Sequence, residues 1–140
     1  MNQFSLDLIA IRRASIPDIS FIYATCLPGI RHGGKYFKCM PDSLFYKKYR
    51  KIIDGILQKP ETFVNIACLK EDPDVILGYA IMEENREVGL ILHWVFTRPV
   101  WRNLGIAKLM LPKDILICTH MTGIGKSLKP REWVYDPFLL

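Results

Sequence analysis

The stretch Leu90–Leu111, LILHWVFTRPVWRNLGIAKLML, decides how the rest of this chain is read. It opens as an apolar run, breaks at Pro99, passes through RNLGIA and closes as an amphipathic segment. That order predicts a strand, a tight loop and a helix. Backbone amides at such a loop, and in the first turn of the helix after it, have no partner inside the helix. The helix dipole adds a preference for negative charge, so the segment suits a phosphate-like anion.

Upstream of this stretch, Phe63–Lys70 and Val75–Glu83 read as two strands joined by the turn Glu71-Asp72-Pro73-Asp74. Asn85-Arg86-Glu87 then turns the chain into a strand over Val88–Phe96, which makes the middle of the chain an antiparallel meander. Downstream, Pro112 or Lys113 ends the helix and Asp114–His120 is a further strand, with Ile115–Cys118 as its apolar core. A helix between two strands calls for a right-handed parallel crossover. Near the start, Phe4–Arg13 predicts a first strand. Ser15 is an N-cap with Pro17 and Asp18 behind it, and the helix runs to about Thr25 before Leu27-Pro28-Gly29 ends it. Residues 28–42 form an irregular connection. Asp42 or Ser43 caps a second helix whose apolar side holds Leu44, Phe45, Tyr49, Ile52, Ile53, Ile56 and Leu57. The last twenty residues leave room for about one helical turn and a short strand around Glu132–Tyr135.

One domain over residues 1–140 accounts for the length, and half of the residues are apolar. No window approaches the roughly 18 apolar residues of a membrane span. No basic, apolar leader opens the chain, so the expected location is cytoplasmic. Cys26, Cys39, Cys68 and Cys118 are scattered without a CxxC pair, as expected of thiols in a reducing compartment. A zinc site built from Cys26, His32 and Cys39 lacks paired ligand spacing, and no metal is expected. The net charge of +5 is uneven. Residues 1–60 hold ten Lys/Arg against four Asp/Glu, whereas residues 61–100 hold three against seven. A basic excess flanking an acidic middle suits a polyanionic ligand or a plain solvated surface. Lys47, Lys48, Arg50 and Lys51 line the outer side of the second helix, where solvation explains them better than nucleic acid does.

The central motif resembles the acyl-CoA-binding signature of the GNAT N-acetyltransferase superfamily, R/Q-x-x-G-x-G/A, here carried by Arg102, Gly105 and Ala107. Pro99, the Leu-rich residues after the loop, the opening IRRASIPDISFIY and the order of strands resemble the family as well. The resemblance spans roughly Leu8 to His120. It implies an α/β (α+β) fold with a mixed, mostly antiparallel central sheet, one splayed parallel strand pair and helices on both faces. It further implies that acetyl-CoA is the co-substrate. Arg102, Asn103, Leu104, Gly105, Ile106 and Ala107 would cradle its pyrophosphate, and Val95, Phe96 and Thr97 would lie along its pantetheine arm. Gly105 removes a Cβ from the approach, and small Ala107 permits close packing of helix on sheet. The implied reaction is direct transfer of an acetyl group to an amine, in a small molecule or a protein, with a homo-oligomer or larger assembly as a further expectation.

The chain departs from that pattern at its end. The segment after the fifth strand is abbreviated to TGIGKSLKP and carries no tyrosine that could protonate a departing thiolate. His93 is the titratable side chain within the central strand, either a base for the amine or a satisfied core residue. His120 is a poorer candidate, and Glu83 and Glu84 either shape an acceptor site or are surface charges beside a turn. TGIGKS is no phosphate-binding P-loop, because His120 stands where its first glycine belongs. The alternative to an enzyme is a catalytically silent protein on the same fold, structural or interacting, such as a bacteriophage virion component.

Overall fold

The computed structural model describes residues 4–33, 37–120 and 133–140. Its elements run β1 (Ile9–Arg13), α1 (Ile19–Gly33), α2 (Asp42–Gln58), β2 (Thr62–Leu69), β3 (Ile76–Asn85), β4 (Gly89–Thr97), α3 (Ile106–Met110), β5 (Ile115–Cys118) and β6 (Val134–Tyr135). The strands form a single sheet in chain order. Neighbours from β1 to β4 are antiparallel, while β4–β5 and β5–β6 are parallel. The expected α/β class, with its antiparallel meander and one crossover through a helix, is therefore the observed one. The helical turn expected late in the chain, and the TGIGKS segment, lie outside the described residues. Among the described residues, no helix is long and apolar enough to cross a membrane.

Helix α2 forms because Phe45, Tyr49, Ile53 and Ile56 recur at spacings of four, four and three, which puts them on one face. All four are buried, and Lys47, Lys48, Arg50 and Lys51 stay exposed. Helix α1 begins as expected behind a capping box between Ser15 and Asp18, with Pro17 in the first turn. Asp18 is buried and takes both ends of the Arg12 guanidinium at 2.7 and 2.9 Å, which ties the helix start to β1. That bond to Arg12 leads, against the penalty of burial, in holding the Asp18 carboxyl down at about 2.

The end of α1 corrects the sequence reading. The helix does not stop at Leu27-Pro28-Gly29 but runs through Pro28 to Gly33. Proline removes one intrahelical bond, yet beyond it the helix still has much to bury. Ile30 is 2% exposed, and the Arg31 guanidinium donates to the carbonyls of Phe37 and Met40 and pairs with Asp42. Tertiary packing outweighs the local break. Helix α3 is short, five residues ending just before Pro112, where the sequence placed its stop.

The sheet separates two apolar clusters. One joins α1 and α2 to Ile66, Tyr79, Ile81 and Trp94. The other joins Ile106 and Met110 of α3 to Ala67, Leu77, Ala80, Met82, Leu90 and Leu92, and Trp133 closes its far side. Cys26, Cys68 and Cys118 are buried, Cys39 is exposed, and none is in a disulfide.

Candidate active site

Strand β4 changes partners along its length. Its first half pairs with β5 at Leu90–Ile115, Ile91–Ile117 and Leu92–Cys118, and the Thr119 amide adds a bond to the Leu92 carbonyl at 3.1 Å. Its second half, Trp94 to Thr97, pairs with β3 alone among the described residues. The parallel pairing therefore stops just past Leu92, at the end of β5, and this end of the pair is the fork. Val95, Phe96 and Thr97 lie on the open arm.

A β-bulge sits at the fork. Ile81 pairs with Trp94 and Met82 with Leu92, so His93 is the extra residue on β4. The consequence appears in the packing, where Leu92 belongs to the α3 cluster and Trp94, two residues on, to the α1–α2 cluster. In an unbroken strand those two would share a face. Trp94 is seated closely, because a Cβ on Gly29 of α1 would lie 2.8 Å from its Cζ2.

Beyond the fork comes the loop. Pro99–Trp101 is one 3-10 turn, and Arg102 Nε donates to the Thr97 carbonyl at 2.9 Å. Asn103 and Gly105 both have positive φ, 65° and 86°. Glycine adopts that conformation freely and asparagine better than most residues. The turn leaves the amides of Asn103, Leu104 and Gly105 without a backbone partner among the described residues. Ile106 is buried under the sheet and Ala107 partly so, which anchors the loop. With only five residues, α3 adds less dipole than a longer helix would, so the loop amides and Arg102 carry more of any anion affinity.

On the helix side of the fork a line of polar side chains crosses the sheet. Lys59 Nζ reaches Glu83 Oε1 at 3.1 Å, and the same oxygen takes His93 Nε2 at 2.9 Å. Asn85 Nδ2 donates to Glu83 Oε2 at 3.3 Å. His93 Nδ1 lies 3.0 Å from Thr119 Oγ1, which lies 3.0 Å from His120 Nδ1. His120 Nδ1 also meets the His93 carbonyl at 2.7 Å, and its Nε2 meets the Tyr49 hydroxyl at 2.5 Å. Glu83, His93 and Thr119 are 4%, 1% and 2% exposed.

Burial sets the charge of these groups. It pulls His120 down to about 4 and His93 below its usual range, so both rings are neutral near pH 7. Glu83 goes the other way. Burial raises it, but hydrogen bonds from His93, Lys59 and Asn85 outweigh that and keep it ionised. Burial likewise lifts the Tyr49 phenol well above its ordinary value.

His93 thus sits at the fork, as its place in β4 predicted, but with both ring nitrogens engaged and the ring out of solvent. Any part it takes in chemistry runs through its neighbours in this conformation. Glu83 is inward, on the face of Tyr79 and Ile81, while Glu84 is exposed. That period-two parity was the available signal for Glu83. His120 was the poorer candidate of the sequence reading, whereas Thr119 and Tyr49 had no such signal, since they lie on different elements and Tyr49 fits its helix as an ordinary apolar-face residue. Among the described residues, no group of three or more His, Cys, Asp or Glu could hold a metal. Cys26 is buried with its thiol pushed up to about 12, and His32 and Cys39 are exposed.

No family sequence profile and no curated protein matches the chain. Solved structures do. A candidate acetyl transferase from Pyrococcus furiosus superposes with a TM-score of 0.67 at 13% identity, covering 91% of this chain and 97% of its own. An acetyltransferase assigned by prediction in Clostridium acetobutylicum, solved with acetyl-CoA, gives 0.58 at 18% identity over 94% of this chain and 97% of its own. A candidate GNAT-family acetyltransferase from Staphylococcus aureus gives 0.53 at 15% identity, over 71% and 82%. At these identities the likeness is one of architecture, and it extends over nearly the whole chain. The protein has the fold of the GNAT acetyltransferases.

Proposed function

We propose that this protein is an acyl-CoA-dependent N-acyltransferase that binds acetyl-CoA along the open arm of β4 and passes the acetyl group directly to an amine. The observation that carries the reading is the fork followed at once by a loop of unpartnered amides. One end of the site offers strand backbone from Val95 to Thr97, and the other offers Asn103, Leu104 and Gly105 amides beside Arg102. The backbone at Gly105 is open, since a Cβ built there would meet only Leu6 Cδ1, at 3.6 Å. Arg102 is held from behind by the Thr97 carbonyl, and its two Nη groups make no hydrogen bond among the described residues. They are the charge available to an anion there. Ile106 and Ala107 would fix the loop to the sheet rather than touch the ligand through side-chain polar atoms.

Acetyl-CoA supplies an activated thioester, so the protein's task is to hold it, admit a neutral amine and manage one proton. The acceptor would come from the α1–α2 side, where Trp94 and Phe96 wall the fork. Calorimetry with acetyl-CoA and CoA tests the reading. Binding is expected for the native chain and a loss of at least tenfold for Arg102→Glu. A native chain that gives no heat at millimolar protein and ligand overturns it.

A further inference from the structure

The polar line through the fork has a direction, and that direction follows from chemistry alone. Ionised Glu83 only accepts, so His93 must carry its proton on Nε2. The His93 carbonyl only accepts, so His120 must carry its proton on Nδ1. Each neutral ring then presents a lone pair on its other nitrogen. Thr119 must therefore donate its hydroxyl proton to His93 Nδ1, and Tyr49 must donate to His120 Nε2. Thr119 Oγ1 in turn accepts from His120 Nδ1, which divides its proton between that oxygen and the His93 carbonyl. Every proton in the series points the same way, from Tyr49 through His120, Thr119 and His93 to Glu83. Lys59 and Asn85 hold the Glu83 end.

Purely structural networks have no need of such order. A structural role would be filled as well by bonds pointing in mixed directions, and more cheaply by apolar residues, because buried polar groups bring desolvation costs. Here five buried or half-buried side chains from α2, β3, β4 and the end of β5 meet at the point where the parallel pairing ends. Tyr49 is also the sole phenol in the series, and it stands on a different element from the C-terminal segment that lacks one.

Resting on the acyl-transfer reading above, we propose that Tyr49, His120, Thr119, His93 and Glu83 form a proton relay for that reaction, loaded at the Tyr49 end and emptied onto Glu83. The acceptor amine gives its proton to the Tyr49 oxygen as the Tyr49 proton moves to His120 Nε2. The His120 Nδ1 proton moves to Thr119, the Thr119 proton to His93 Nδ1, and the His93 Nε2 proton to Glu83. The lone pair of the neutral amine forms the C–N bond as that proton leaves its nitrogen, and the C–S bond breaks with its electrons on sulfur. The thiolate leaves and takes a proton from water, and Glu83 returns its own to water as the series resets. One proton leaves the amine and one reaches sulfur, with no further reactant. Glu83, His93 and Thr119 are positioning residues in this scheme, for they act through Tyr49 and His120.

Two measurements test it. Long-range ¹H–¹⁵N NMR on the unliganded chain at pH 7 reads the ring tautomers. His93 protonated on Nε2 and His120 on Nδ1 are expected, and either ring in the other tautomer or doubly protonated overturns the relay. Steady-state transfer from acetyl-CoA to spermidine, tyramine and lysine methyl ester, as probe amines, reads its use. Thr119→Val keeps the shape and removes the hydroxyl, and a fall in kcat of roughly 100-fold is expected. Its KM for acetyl-CoA should not move, and Thr119→Ser should recover most of the rate. A Thr119→Val protein as fast as the native chain overturns the relay and leaves the acyl-transfer reading standing. A native chain that transfers to no probe amine removes the reaction and the relay with it, whatever its tautomers.

Discussion

The two faces of the sheet are built on different terms. One is covered by α1 and α2, fifteen and seventeen residues long, and carries stacked aromatics together with the polar line through the fork. The other is covered by the five residues of α3 and holds an aliphatic and methionine cluster, in which Ile106 and Met110 are each 1% exposed. The long helices bury Ile22, Leu27 and Ile30 of α1 and Phe45, Tyr49, Ile53 and Ile56 of α2, whereas the short helix buries Ile106 and Met110. Polar groups are thus shared unequally: the α1–α2 face carries the buried hydrogen-bonded line, and the α3 face anchors the loop of unpartnered amides.

Truncation should expose that inequality most sharply. Phe45, fully buried and stacked on Tyr49, is expected to cost about 4 kcal/mol as Phe45→Ala. Met110→Ala, from the thinner face, should cost about 2.5 kcal/mol. Urea midpoints decide the order, and a larger loss at Met110 would contradict the account.

Acid should then separate the polar line from the rest. His120 binds its proton near pH 4 when folded against about 6.5 when unfolded. The unfolded chain therefore takes up the proton first. Stability is full above about pH 6.5 and falls as the pH drops toward 4, by on the order of 3 kcal/mol. Asp18, depressed to about 2 from 3.8, withdraws its contribution in a lower window, as the pH falls below about 4. In His120→Gln the upper window should shrink to the part that the lowered His93 contributes, and the lower one remain, as followed by thermal melts across pH. Persistence of the upper window at full size would assign it to another group.

The smallest change tests how closely α1 approaches β4. Gly29→Ala places a methyl 2.8 Å from Trp94 Cζ2, so the indole must shift. A cost of about 1 kcal/mol is expected, with an altered near-ultraviolet signal from Trp94. Gly55→Ala, where nothing lies within 4 Å of the added Cβ, serves as the control and should leave that signal unchanged.

The loop is legible in the amino-acid order because its determinants are contiguous. Pro99, Arg102, Gly105 and Ala107 lie within nine residues, and a strand before and a helix after follow from periodicity. The meander and the crossover are legible for the same reason, since turns such as Glu71–Asp74 announce themselves locally. The run of α1 through Pro28 is not, because the gain comes from Arg31 reaching Phe37, Met40 and Asp42, contacts that no helix rule counts. The end of α3 is legible by contrast, since Pro112 marks it locally.

The sequence by itself determined the order of elements, the class of fold and the position of the loop after β4, because each rests on interactions between residues close in the chain. It also put His93 on the central strand. Only the tertiary structure decided what His93 touches. A single extra residue in β4 turns Leu92 and Trp94 to opposite faces. That bulge, together with the ends of α2 and β5, brings Lys59, Glu83, Thr119, His120 and Tyr49 into one line of hydrogen bonds. Such a line is made of long-range contacts between residues up to 71 positions apart, and their meeting is set by packing rather than by any local pattern.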